Sequence, residues 1–236
     1  MYLSIIIPTR NEEMYLPNLL KDIRRQSFAD IEIIVADADS TDDTRDLAKR
    51  YRARVVKGGM PGVGRNRGAR AADGDLLLFL DADVRLPSKH FLRDMLREMR
   101  ARQFDLATCR LRPYEGRFAD RVMLGIYNTY ARATVTLNPH APGACLFVKR
   151  YVHDELGGFD ESITLAEDCD YAKRGSSIGT FGILKTFPVY ISMRRHERFG
   201  RMRMASTYLR VESHLLRKKV IRDKKIPYDY DYPEKK

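Results

Sequence analysis

The chain has 236 residues, with 43 Lys plus Arg against 32 Asp plus Glu and a formal charge of +11. That length holds one large α/β domain or two small ones, with a sizeable core, and one is the expectation here. Three widely spaced cysteines, Cys109, Cys145 and Cys169, exclude a disulfide framework or a Cys-x-x-Cys zinc site, and no apolar run approaches the ~18 residues of a spanning helix. The positive excess points to an anionic partner, whether nucleotide, membrane surface or nucleic acid, without choosing among them. The amino terminus lacks a signal peptide's basic flank and cleavage site, so the expected setting is cytoplasmic and reducing, at most peripheral on the inner face of a membrane.

Residues 3–7 are apolar and β-branched and stop at Pro8, which predicts a buried strand delivering Pro8, Thr9, Arg10, Asn11 and Glu12 into a loop. Leu16, Leu19, Leu20 and Ile23 then recur at helical spacing. A second strand over residues 31–36 ends at Asp37, and Ser40 or Thr41 is the expected cap of a helix carrying Leu47 and Ala48. Residues 54–57 read as a short third strand, 58–64 as a glycine-rich loop, 65–72 as an alanine-bearing helix and 76–80 as a fourth strand. The glycines of that loop do not follow the first strand, so they are no dinucleotide fingerprint. Three strand-helix repeats imply an α/β fold with a mostly parallel central sheet, helices on both faces and right-handed crossovers.

Residues 88–100 predict a helix with Phe91, Leu92, Met95, Leu96 and Met99 on one face, and another strand begins at Asp105. Within 117–137, Phe118, Val122, Leu124, Ile126 and Tyr130 alternate with charges, an amphipathic helix whose stripe is expected to pack on the sheet. Residues 143–149 read as a strand, 157–161 as a turn, Glu167 and Asp168 as the start of a short helix ending near Gly175, and 187–191 as the last strand. From 194 to 225 there are twelve Lys or Arg against Glu197, Glu212 and Asp223, with Met202, Met204, Tyr208, Leu209, Val211, Leu215 and Leu216 supplying an apolar side. Such a basic helical extension suits an anionic bilayer and solvent equally. Residues 227–236 read as a frayed tail.

The chemistry gathers at the end of the fourth strand. Five apolar residues, 76–80, open onto Asp81, Ala82 and Asp83, and ligands of open α/β sheets bind at the carboxyl ends of strands. Two hard oxygen ligands suit Mg2+ or Mn2+ held jointly with substrate phosphates. Taken alone, the pair serves equally well to cap a loop.

Five segments in order resemble the family-two glycosyltransferases, over about residues 3–200. They are Ile5-Ile6-Ile7-Pro8-Thr9-Arg10-Asn11-Glu12, Val35-Ala36-Asp37-Ala38-Asp39-Ser40-Thr41-Asp42-Asp43-Thr44, Arg65-Asn66-Arg67-Gly68, Leu80-Asp81-Ala82-Asp83, and Gly157-Gly158-Phe159-Asp160-Glu161 followed by Glu167-Asp168. The resemblance implies the GT-A Rossmann-like fold. It implies a donor-binding half over about residues 1–110 and an acceptor and catalytic half over about 111–198, beyond which the charge pattern alone gives a basic helix and tail over 199–236. It also implies that Pro8, Thr9, Arg10, Glu12 and Asp37 line the nucleotide pocket, with Arg65, Asn66, Asp81 and Ala82 completing the donor site. Asp83, with Asp81, would hold Mn2+ or Mg2+, and one of Arg194, Arg195 or His196 would close over the diphosphate, His196 as a possible further metal ligand. Where the family pattern has a second aspartate and a glycine after the base-contacting residue, this chain has Ala38 and Asp39.

The implied reaction is an inverting transfer of a sugar from a UDP- or GDP-sugar to a hydroxyl or lipid-phosphate acceptor, with Asp168 as general base. A glycan or lipid-linked acceptor and contact with an anionic membrane are the expected partners, and nucleic acid is not, since no recognised nucleic-acid module is present. Two rivals share the aspartate pair: a haloacid-dehalogenase-type phosphatase with Asp81 as nucleophile, and a nucleotidyltransferase.

Overall fold

The computed structural model of the chain describes residues 2–217 and 220–222. Strand β1 (Leu3–Thr9) runs between β2 (Ile31–Asp37) and β4 (Leu76–Leu80), parallel to both, with β3 (Arg54–Lys57) outside β2. Apolar runs without alternation are what a doubly covered strand needs: every residue of β4 is buried, and so are Leu3, Ile5, Ile6 and Ile7. Ile5, Ile7, Leu78 and Leu80 belong to the core on one side of the sheet, and Ile6, Leu77 and Phe79 to the core on the other.

Helix α1 (Leu16–Arg24), α2 (Thr44–Arg50) and α3 (Pro61–Arg70) make the first three crossovers. Helix α3 starts four residues earlier than the glycines suggest, because Pro61 suits a first helical turn and Gly64 and Gly68 are wanted for contact. A Cβ at Gly68 would collide with the Ile6 side chain, so α3 lies directly on β1. Neither Ser40 nor Thr41 caps α2. Asp43 takes the cap position, and Ser40 turns to Asp37 instead.

After β4 the sheet becomes mixed. Short β5 (Val84–Arg85) and helix α4 (Phe91–Ala101) precede β6 (Leu106–Pro113), helix α5 (Phe118–Ala133), β7 (Cys145–Lys149) and helix α6 (Arg150–Leu156). Helix α7 (Glu167–Gly175) leads to β8 (Phe181–Ile191), and α8 (Arg194–Phe199) and α9 (Arg201–Leu216) follow. The strand order is β3-β2-β1-β4-β7-β6-β8-β5. Among the described residues the parallel pairings, β1 with β2 and β4, β2 with β3 and β6 with β8, outnumber the antiparallel ones of β7 with β4 and β6 and of β5 with β8, so the sheet is mostly parallel as expected, with a mixed second half.

Three expectations are corrected. Strand β8 begins at Phe181, six residues earlier than expected, because Phe181–Leu184 pairs with Leu106–Cys109 ahead of a register shift between Cys109 and Leu111. The stripe of α5 does not lie wholly on the sheet: Leu124 is buried, whereas Phe118, Val122 and Ile126 face outward. The expected basic helix is broken at Gly200, whose φ of +85° is cheap only for glycine, and ends at Leu216; residues 220–222 are not helical, and the remaining positions of that expectation, with the tail over 227–236, lie outside the described residues.

Candidate functional site

Loops from the carboxyl ends of β1, β2 and β4 meet on one side of the sheet. Thr9 donates through its hydroxyl to Asp37 (3.1 Å), and the Ser40 amide donates to the same carboxylate (3.0 Å). Asn11, in the left-handed region at φ +53°, donates its amide to the Ser40 hydroxyl and accepts from the Thr41 amide, so the β1 and β2 loops are stitched together. Asp37 is buried at the floor of this seam, while Arg10 at its rim is exposed and Pro8 half-buried.

Two arginines organise the charge. Arg65, on α3 and 3% exposed, donates to Glu167 (2.6 Å) and to Asp81 (2.9 Å), with its guanidinium 5.4 Å from the Phe159 ring. Burial opposes its charge, but Asp81, Glu167 and Asp168 around it more than offset that and hold it protonated. Arg194, on α8, makes a two-pronged contact with Glu12 (2.8 and 2.6 Å) and reaches Asp83 through Nε (2.9 Å), with its guanidinium 4.4 Å from the Tyr15 ring. Because Asp81 and Asp83 share one loop, the two bridges form a continuous chain of charge from Glu12 to Glu167.

Asp168 sits at this chain's far end, in the first turn of α7. Its carboxylate accepts from the amides of Gly143 and Cys169 (2.8 Å to the latter). Burial, followed by the neighbouring Glu167 charge, pushes its pKa up to about 6 against the pull of Arg65. A Cβ at Gly143 would collide with the Arg65 guanidinium and displace it from its carboxylate partners. Burial likewise lifts Glu12 to about 7 even with Arg194 beside it, and raises Asp83 above the usual carboxylate range.

Three of the sequence candidates are engaged elsewhere. Asn66 is buried and its carboxamide is taken up by the turn after α6: it donates to the Phe159 carbonyl and to Glu161 (both 2.9 Å) and accepts from the Phe159 amide (2.8 Å). It therefore fixes the Gly158 turn, at φ +83°, rather than opening onto the donor side. Ala82 is a core residue. His196 is buried beside Tyr208, 5.8 Å between rings, with neither ring nitrogen paired among the described residues, and burial lowers its pKa. Its charged neighbours are Asp120, Arg201 and Arg195, so it is not grouped with Asp81 and Asp83. Arg195 is half-buried and close enough to act electrostatically on both Glu12 and Asp83.

Among the described residues no group of three or more His, Cys, Asp or Glu is placed to hold a metal ion. Asp81 and Asp83 offer two carboxylates, the donor set of a hard cation that takes its remaining oxygens from a bound diphosphate and water, and to that extent the residues fit Mn2+ or Mg2+. The sequence did not single out Tyr15 or Gly143; Glu167 is visible as the neighbour of Asp168, but not as the partner of Arg65.

The model of the family described as Glycosyl transferase family 2 matches residues 4–157. A 4,4'-diaponeurosporenoate glycosyltransferase from Staphylococcus haemolyticus is 37% identical over 111 residues, 43% of this chain and 29% of its own length. A poly(ribitol-phosphate) beta-glucosyltransferase from Bacillus spizizenii is 31% identical over 184 residues, 71% of this chain and 28% of its own. This chain thus spans under a third of either relative. Among solved structures, TarS of S. aureus superposes with a TM-score of 0.63 at 21% identity, covering 86% of this chain and 39% of that one. The mannosyltransferase PcManGT from Pyrobaculum calidifontis superposes with a TM-score of 0.66 at 22% identity, covering 80% and 56%. These likenesses establish a fold of the GT-A type. With the family model matching more than half of this chain, including the loops after β1, β2 and β4 that carry Glu12, Asp37, Asp81 and Asp83, the chain belongs to glycosyl transferase family 2.

Proposed function

We infer that the protein is an inverting glycosyltransferase that moves a sugar from a nucleoside-diphosphate donor to a hydroxyl or lipid-phosphate acceptor. The observation that carries the reading is the Arg65 bridge, which ties Asp81 on the donor side to Glu167 beside Asp168. Relatives described as complexes with UDP-GlcNAc and with GDP-Man and Mn2+ support the donor class, and one described as acting on an undecaprenol-linked glycan supports a lipid-linked acceptor.

In this reading Pro8, Thr9, Arg10 and Asp37 line the base and ribose end, where Asp37 accepts a hydrogen bond from a ring N–H. Asp83, with Asp81, holds Mn2+ or Mg2+, which when bound neutralises the negative charge developing on the departing diphosphate. Arg194 and Arg195 stand at the same place and add positive charge there. Asp168 takes the proton of the attacking hydroxyl, a task its raised pKa of about 6 suits. A single displacement from the side opposite the leaving group inverts the anomeric carbon. The phosphatase alternative needs Asp81 free to attack phosphorus, whereas it is ion-paired to a buried arginine.

A panel of UDP- and GDP-sugars with Mn2+, read by thermal unfolding and by slow donor hydrolysis, tests this. One donor is expected to protect the protein, and Asp83→Ala to remove the metal dependence of that protection. Indifference to every nucleotide sugar, with or without metal, contradicts it.

A further inference from the structure

Two helices present apolar side chains to solvent in rows. On α5, Phe118, Val122 and Ile126 are 79%, 44% and 67% exposed at a spacing of four; on α9, Met202, Leu209 and Leu216 are 88%, 72% and 63% exposed at a spacing of seven. Both spacings keep a row on one side of a helix. Isolated exposed hydrophobics are ordinary, but two aligned rows are not.

The helices lie side by side and run the same way. Arg201 at the start of α9 pairs with Asp120 at the start of α5 (2.7 and 2.8 Å), and further along the Tyr130 hydroxyl donates to Glu212. Going round α9 at 100° per residue from Arg201, which faces α5, Met202 comes next and Arg203 beyond it. The order repeats a heptad at a time, so Leu209 is followed by Arg210 and Leu216 by Arg217. All three arginines are exposed, as are Arg121 and Arg132 on α5.

The acidic residues of these helices are turned away from that face. Asp120 is the one carboxylate of α5 and is buried against Arg201; Glu212 is the one carboxylate of α9 and is taken by Tyr130 and His140. The face therefore shows apolar rows and arginines, with no carboxylate from either helix to balance them. The opposite side of α5 carries Tyr127, which is close enough to Asp168 to feel its charge, so this face backs onto the candidate catalytic carboxylate.

We propose that the α5–α9 face docks on an anionic lipid bilayer. The apolar rows enter at headgroup depth, and Arg121, Arg132, Arg203, Arg210 and Arg217 meet lipid phosphates. A second copy of the chain is the weaker occupant on charge grounds, since a symmetric pairing would bring arginine rows against one another. The proposal concerns docking alone and does not depend on the transferase reading.

Co-sedimentation of the full chain with vesicles of phosphatidylcholine, with and without phosphatidylglycerol, tests it. Wild type is expected to pellet with the anionic vesicles at low salt, less at high salt, and to stay in solution with phosphatidylcholine alone. Ile126→Glu with Leu209→Glu, and separately Arg203→Glu with Arg210→Glu, should each weaken binding about tenfold or more without shifting the thermal midpoint, because these side chains are exposed. No binding by wild type, or binding undiminished in both double variants, overturns the proposal. So does a wild-type dimer in sedimentation that Leu209→Glu dissociates, because a second copy then covers the face.

Discussion

Arg65 and Arg194 do the same kind of thing in opposite ways. Arg65 comes from a helix pressed on the central strand, is 3% exposed in its side chain and is surrounded by Asp81, Glu167 and Asp168. Arg194 comes from a short helix after the last strand, is 13% exposed in its side chain and pairs with Glu12 and Asp83. The first is packed under Gly143, where an added Cβ would collide with its guanidinium. The second sits on the carboxylate that a cation would need. One bridge is framework and the other is a counter-ion that a metal and a diphosphate would have to displace or share, and the site's assembly and its loading thus rest on different arginines.

The largest expected effect tests the end of the framework bridge. Asp168→Asn keeps one of the two acceptors that Gly143 and Cys169 use but removes the base of the proposed reaction, so turnover should fall about a thousandfold while donor binding by thermal shift stays within a factor of about two. A loss of donor binding equal to the loss of turnover would make Asp168 a binding residue instead. Next, Arg65→Ala leaves Glu167 buried beside Asp81 and Asp168 without a cation, and chemical unfolding should show a loss of about 3 kcal/mol. The corresponding Arg194→Ala should cost less, about 1–2 kcal/mol, since the Arg194 side chain is itself nearer to solvent, 13% exposed against 3% for Arg65. It should also raise the affinity of the donor-free protein for Mn2+, read by the metal-dependent rise in melting temperature. Equal stability losses for the two variants would erase the distinction between the bridges.

A smaller effect follows from pH. Asp168 is raised from 3.8 to about 6, so the folded state prefers it protonated, and stability drawn from that preference is present at low pH and lost as pH rises through about 6. In the proposed reaction the ionised form is the base, so turnover should fall about tenfold per unit below pH 6. Asp168→Asn should remove the stability trend and gain about 1 kcal/mol at neutral pH. A flat rate profile between pH 5 and 7 would contradict the assignment.

Where local pattern determines structure, the sequence was readable. The face of α4 is a case: Phe91, Leu92, Met95, Leu96 and Met99 were picked out by spacing and all five are buried. So are the loops after β1, β2 and β4, because an apolar run that ends abruptly on polar residues marks a strand's carboxyl end. Contacts across the chain left no such trace. Glu12 and Arg194 meet over a separation of 182 residues, and nothing near either position announces the other. Helix α6 went unread because its seven residues are too few to show a period, although Gly157, at φ +69°, is the left-handed stop that follows it. The first half of β8 was hidden by Lys185 and Thr186, polar residues at a break in register with β6. The outward rows of α5 were misread for a related reason: periodicity shows that a helix has an apolar side, and tertiary placement decides where that side points.

A crystal structure with Mn2+ and a nucleoside diphosphate tests the central claim most directly. The account predicts the metal between Asp83 and the diphosphate, Arg194 withdrawn from Asp83 or shared with a phosphate oxygen, and the Asp168 carboxylate lining the same cavity beyond the terminal phosphate. A diphosphate bound with Asp83 still closed by Arg194, or a cavity from which Asp168 is shut out, would contradict it.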